Sequence, residues 1–142
     1  MPSNRSDRTH LWTNRRVQAG AAQLRVLVVD DNSNAAHALA AYLSLEDIDC
    51  RIAFGGAEAI DVGTDWAPHV IIMDISMPDC NGVQAAIALR NSPCSSDIII
   101  VAFTALDEDE VRRHLIGHEF DAYYQKGQSP SLLLALVMAF VG

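Results

Sequence analysis

Three short apolar runs, at residues 24–29, 70–73 and 98–103, constrain this chain more than any other feature of it. A strand with one wet face alternates apolar and polar residues. These runs do not alternate, so each must be covered on both faces, as in a parallel sheet with helices on either side. The segments between them have helical length: residues 33–46, rich in alanine with Leu39, Tyr42 and Leu43 at helical spacing, then 57–63, 83–91 and 107–118. Asp107 with Glu110 three residues on is a capping-box-like start, and the acids at 107–110 suit the positive end of a helix dipole. Shorter strands at 50–54 and 122–125 and a last helix at 131–141 complete the alternation. With right-handed crossovers this order predicts an α/β fold, a doubly wound five-stranded parallel sheet flanked by five helices.

The chain has 142 residues, half of them hydrophobic and 20% charged, which suits one domain with a full core and leaves little room for a second. No apolar run approaches the roughly 18 residues of a membrane span, and no hydrophobic segment follows the N-terminal arginines, so membrane and secretory readings fall away. Cys50, Cys80 and Cys94 are odd in number and include no C-x-x-C pair. That fits reduced thiols in a cytoplasmic protein better than a disulfide framework or a zinc site. Residues 1–23 are polar, Arg-rich and aperiodic, with only Leu11, Trp12 and Val17 as sizeable apolar residues, and read as a flexible arm before a domain at 24–142. The net charge is −8, but the first 25 residues hold five arginines and one aspartate, so the remainder carries 5 basic and 17 acidic residues. So acidic a body repels nucleic acid, and no direct nucleic-acid binding is expected.

In open α/β sheets, ligands bind beyond the carboxyl ends of the strands where strand order reverses. Reading those ends, the first run closes in Asp30-Asp31, the third strand in Asp74, the fourth in Thr104-Ala105, and the last is followed by Lys126. Crowded carboxylates repel one another and call for a cation, and a hard, oxygen-liganded ion such as Mg²⁺ suits Asp30, Asp31 and Asp74. The remaining lysine and hydroxyl suit a phosphoryl group, one as a point charge and the other as a donor. The carboxylate nearest both is a candidate nucleophile. Taken singly, a strand-end Asp is more often a turn or helix cap and an Asp-Asp pair is usually just solvated. All of these residues at the correct strand ends in the correct order is a far less ordinary coincidence.

The residues 28–31 (Val-Val-Asp-Asp), 73–78 (Met-Asp-Ile-Ser-Met-Pro), Asn81-Gly82, Thr104-Ala105, and Tyr123 three before Lys126 resemble the receiver domain of two-component response regulators. The resemblance covers about residues 24–141 and implies a flavodoxin-like sheet of strand order 2-1-3-4-5. It implies that Asp74 is the phosphoacceptor, that Asp31, Asp74 and the Ser76 carbonyl bind Mg²⁺ with Asp30 helping through water, and that Lys126, Thr104 and Ala105 contact the phosphoryl group. Thr104 would be the switch hydroxyl and Tyr123 the aromatic coupled to it; on its own, Tyr123 reads as ordinary strand packing. The implied partner is a histidine kinase or histidine phosphotransfer protein. The implied activity is a signalling switch that catalyses its own phosphoryl transfer and dephosphorylation, not a metabolic enzyme.

Three other functions compete. A haloacid-dehalogenase-like phosphatase wants an acid two residues beyond its nucleophile, and Ser76 stands there. A flavodoxin-like electron carrier would have Asp30-Asp31 repelling its flavin phosphate. An unphosphorylated scaffold of the same fold leaves the filled acidic, hydroxyl and lysine positions without a role. Two positions depart from the receiver pattern: Gly127 replaces the usual proline after the lysine, and Glu119 stands where glycine often ends the fourth helix. The chain has no charge after Lys126. In its last helix Leu133, Leu136, Val137 and Phe140 form an inward stripe, leaving Leu132, Leu134, Met138 and Val141 outward. In the resembled family, the face made by the fourth helix, fifth strand and fifth helix commonly pairs receivers, so a homodimer or the docking of a partner protein through it is expected.

Overall fold

A computed structural model of the chain describes residues 8–142. Its elements, in order, are β1 (Thr9–Leu11), β2 (Arg25–Val29), α1 (Ser33–Ser44), β3 (Asp49–Ala53), α2 (Gly56–Trp66), β4 (Val70–Met73), α3 (Gly82–Arg90), β5 (Ile99–Thr104), α4 (Glu108–Arg112), β6 (Ala122–Gln125) and α5 (Pro130–Met138). The sheet runs β1-β6-β5-β4-β2-β3, parallel throughout except for β1, which is antiparallel to β6. Without β1 this is the expected doubly wound order, with each of the three apolar runs forming a central strand.

The strand side chains alternate between two cores. Leu27, Val29, Ile71, Met73 and Ile100 point to one side, where Ala59, Val83, Leu89 and Val111 from α2, α3 and α4 cover them. Val26, Val28, Ile72, Ile99 and Val101 point to the other, under Ala36 and Leu43 of α1 and Leu133, Val137 and Phe140 around α5. Burial of such side chains contributes about 1.5–3 kcal/mol each, which is why continuous apolar strands select this layered arrangement. Local chemistry starts the helices. Asn32 accepts from the Ala35 N–H at 3.0 Å, Asn81 and Gln84 form a reciprocal capping box, and Asp107 accepts from the Glu110 N–H at 2.9 Å. Among the described residues, no helix is long and apolar enough to cross a membrane, and Cys50, Cys80 and Cys94 are unpaired.

The structure departs from the sequence expectations at two places. The helix expected over 107–118 ends at Arg112. Glu119 is the cause: its carboxylate accepts from the Ile116 and Gly117 N–H groups, each at 2.8 Å, which curls the chain into a turn where helix would continue. Burial works against the charge, but those N–H groups still hold the Glu119 carboxyl below its ordinary value.

The second departure is the arm. Residues 1–7 of it lie outside the described residues; the rest is docked on the domain and makes the sheet six-stranded. Thr9, His10 and Leu11 pair with Tyr124, Tyr123 and Ala122, and further on the Val17 N–H donates to Phe140 O at 2.9 Å. Asp121 supplies the physical reason. Its carboxylate has no exposure, and it accepts from Thr13 Oγ1 at 2.7 Å and Arg15 Nε at 2.9 Å as well as from Arg90 and the Ile100 N–H. A buried charge needs this degree of pairing, and the arm provides half of it. The arm also occupies the edge of β6, whose backbone groups would otherwise stand unpaired.

Candidate functional site

The sheet brings the chemistry of four strand ends to one edge. Asp30 and Asp31 follow β2, Asp74 follows β4, Thr104 closes β5, and Lys126 follows β6. Since β2, β4, β5 and β6 are adjacent and parallel, these residues face one crevice. The Lys126 N–H donates to Thr104 O at 2.8 Å, fixing the lysine beside the threonine. Its ammonium lies 3.0 Å from Asp30 Oδ2 and 3.5 Å from Asp74 Oδ2. Asp30 and Asp74 are buried, as is Thr104, whereas Asp31 is exposed.

Carboxylate oxygens of Asp30, Asp31 and Asp74 lie within 4.8 Å of one another. This all-oxygen, anionic set fits a hard divalent cation. The titration of Asp74 follows first from its burial. Burial pushes its carboxyl up to about 6, Lys126 opposes this, and Asp30 adds to it.

The loop after Asp74 is pinned against the strand it leaves. The Gly82 N–H donates to Ile75 O at 3.0 Å, and a Cβ on Gly82 would collide with the Asp74 carbonyl oxygen, so the approach requires glycine. Ser76 is exposed on this loop, two residues from Asp74, and no acid occupies the position that a dehalogenase-type phosphatase would use. Beside it a cleft of about 400 Å³ is lined by Ser76, Met77, Asn81, Gln84, Leu106 and His114. His114 reaches this cleft from the turn that follows α4.

Thr104, Ala105 and Tyr123 meet around the next loop. Thr104 Oγ1 accepts from the Leu106 N–H at 3.2 Å, and Tyr123 Oη donates to Leu106 O at 2.8 Å. Ala105 is exposed, with its carbonyl accepting from Gln125 Nε2 at 3.3 Å. Burial pushes the Tyr123 hydroxyl up to about 12, with Asp107 and Glu108 adding to the shift. After Lys126, Gly127 has φ +101°, a conformation that proline cannot take, so the chain leaves the lysine by a path the usual proline could not follow.

The arm touches this region too. Trp12 stacks on Tyr123 with ring centroids 5.8 Å apart and planes 13° from parallel. Trp12 Nε1 donates to Glu108 Oε2 at 2.7 Å, and His10 Nδ1 lies 2.7 Å from Glu108 Oε1. An isolated tryptophan in a polar arm was the one available signal.

Comparison with known proteins gives a consistent picture. Residues 26–138 match the family model described as the response regulator receiver domain. The cell cycle response regulator CtrA of Brucella ovis is 30% identical over 118 residues, covering 83% of this chain and 50% of that protein. The chain thus spans about half the length of the curated relatives it matches. Among solved structures, the receiver domain of Francisella response regulator 1452 superposes with a TM-score of 0.72 at 25% identity, covering 83% of this chain and 97% of that one. The BeF3-activated N-terminal receiver domain of Klebsiella pneumoniae RstA gives 0.73 at 26% identity, covering 82% and 97%.

Proposed function

The chain belongs to the response regulator receiver domain family, and from that premise we propose that Asp74 accepts a phosphoryl group from a phosphohistidine of a sensor kinase or histidine phosphotransfer protein. The observation that carries this reading is the Asp74 carboxylate, buried yet 3.5 Å from the Lys126 ammonium and grouped with Asp30 and Asp31. Asp31, Asp74 and the Ser76 carbonyl would hold Mg²⁺, with Asp30 helping through water. When bound, the ion neutralises the carboxylates and the charge on the transferring phosphoryl oxygens.

The protein's own residues then do the following. A carboxylate oxygen of Asp74 forms the new P–O bond as the P–N bond to the donor histidine breaks, the electron pair leaving with the imidazole. Lys126, already between two carboxylates, pairs with a phosphoryl oxygen. The Thr104 hydroxyl and the Ala105 N–H donate to the others, and Tyr123 follows Thr104 through Leu106. Attack of water on phosphorus later releases phosphate and restores the Asp74 carboxylate. The protein is on this reading a cytoplasmic signalling switch acting through protein contacts, not a metabolic enzyme and not a direct nucleic-acid binder.

The fifth helix supports the expected self-association. Leu133, Leu136, Val137 and Phe140 are buried, and Leu132 and Met138 are 50% and 47% exposed, whereas Leu134 and Val141, expected outward, are partly buried against the core under α5. We place a homodimer contact on the face of α4, β6 and α5, where β1 occupies the backbone edge of β6. The phosphoacceptor is tested by incubation with acetyl phosphate and Mg²⁺. Intact mass should rise by one phosphoryl group in the wild type and stay unchanged in Asp74→Asn. Equal incorporation in that variant overturns the assignment.

A further inference from the structure

Residues 9–11 form an added edge, yet the contacts of this segment and of Trp12 beside it reach the switch side of the domain. The Trp12 ring lies on Tyr123, its indole N–H is held by Glu108 of α4, and the Arg112 guanidinium stands 4.4 Å from its centroid. Tyr123 in turn holds Leu106 O, and the Leu106 N–H is held by Thr104 Oγ1. A continuous run of contacts therefore leads from Thr104, at the phosphoryl site, to Trp12 in the arm.

We propose that residues 9–12 are a releasable strap, held to the domain beyond by Thr13 and Arg15 on Asp121, whose docking on β6 opposes phosphoryl loading of Asp74, the two being coupled through Tyr123; this rests on the reading of Asp74 as phosphoacceptor. A phosphoryl group there adds charge and strong acceptor oxygens at the end of β4. The Thr104 hydroxyl, at the end of the neighbouring strand β5, is a donor free to turn toward them. Doing so draws it away from Leu106, whose carbonyl fixes the Tyr123 hydroxyl. Tyr123 has no exposure, and a ring packed this closely changes between discrete positions rather than by degrees. A new position for it removes the flat surface on which Trp12 stacks. The docked strap therefore favours the phosphoryl-free loop, and by linkage the loaded site favours strap release, which uncovers the edge of β6.

The test uses the full chain carrying Trp66→Phe, which leaves Trp12 as the only tryptophan of the two. Mg²⁺ and beryllofluoride serve as the phosphoryl mimic, and fluorine NMR reports loading separately from the strap. On loading, Trp12 emission should shift to the red and amide exchange across residues 9–12 should rise about fivefold or more. Reciprocally, Trp12→Ala should bind beryllofluoride about fivefold or more tightly. Glu108→Gln, which weakens the His10 and Trp12 bonds without opening a cavity, should move affinity the same way. A loaded protein with unchanged Trp12 emission and exchange, or variants that bind equally or more weakly, overturns the strap and leaves the phosphoacceptor standing. No loading of wild type, seen in the fluorine spectrum, overturns the phosphoacceptor and the coupling with it.

Discussion

The Lys126 ammonium lies 3.0 Å from the Asp30 carboxylate, an ion pair that joins the end of β6 to the end of β2 across the two strands between them. Asp74, at the end of one of those intervening strands, lies 3.5 Å from the same ammonium, with its carboxyl pushed up to about 6, chiefly by burial. One cation serves two buried carboxylates, and the site as it stands is short of positive charge.

Replacing Asp74 should therefore stabilise the metal-free protein. A carboxyl with a folded pKa above its unfolded value binds more protons when folded, so ionising it costs stability as pH rises from about 4 through 6. Asp74→Asn removes that cost and should raise stability in EDTA at pH 7, by an amount on the order of 1–3 kcal/mol. The advantage should shrink as pH falls from 7 to 5, where the wild-type carboxyl takes up its proton. Urea denaturation of both proteins across that range measures it.

Mg²⁺ should raise the melting temperature of the wild type, because a ligand that binds only the folded cluster stabilises it by about 2.7 kcal/mol at a hundred times its dissociation constant. Asp31→Asn, which removes the exposed carboxylate of the three, should reduce that shift. A melting curve unmoved by millimolar Mg²⁺ would count against the metal site.

Leu106 stands two residues beyond Thr104, on the rim of the cleft next to Ser76. An apolar side chain there cannot orient a water by hydrogen bonding, so hydrolysis of the Asp74 phosphoryl group should be slow. Leu106→Asn should shorten the phosphoryl half-life, as followed by intact mass after removal of the phosphodonor; an unchanged or longer half-life argues against this role.

The exposed side chains of α5 should carry self-association. Light scattering of the wild type should find a dimer that tightens on phosphorylation, and Leu132→Glu with Met138→Glu should yield monomer. A wild type that is monomeric in both states excludes this contact.

Much of the site was legible because its parts are local. A continuous apolar run signals a strand covered on both faces, and the residue that ends it falls at the ligand-binding edge; the sequence alone thus places Asp30, Asp31, Asp74, Thr104 and Lys126 together there. The inward stripe of α5 was equally readable, since helical spacing alone sorts Leu133 and Val137 from Leu132 and Met138. What the tertiary structure decided depends on partners far away in the chain. Three residues of β1 are too few to show a period, and the arm docks because Asp121, more than a hundred residues later, is buried with acceptor capacity that Thr13 and Arg15 fill. The end of α4 turns on a buried carboxylate, Glu119, capturing two backbone N–H groups, a choice that helix propensity does not contain. Periodicity reports which face of an element is apolar, whereas the pairing of buried polar groups is settled only when the whole chain closes around them.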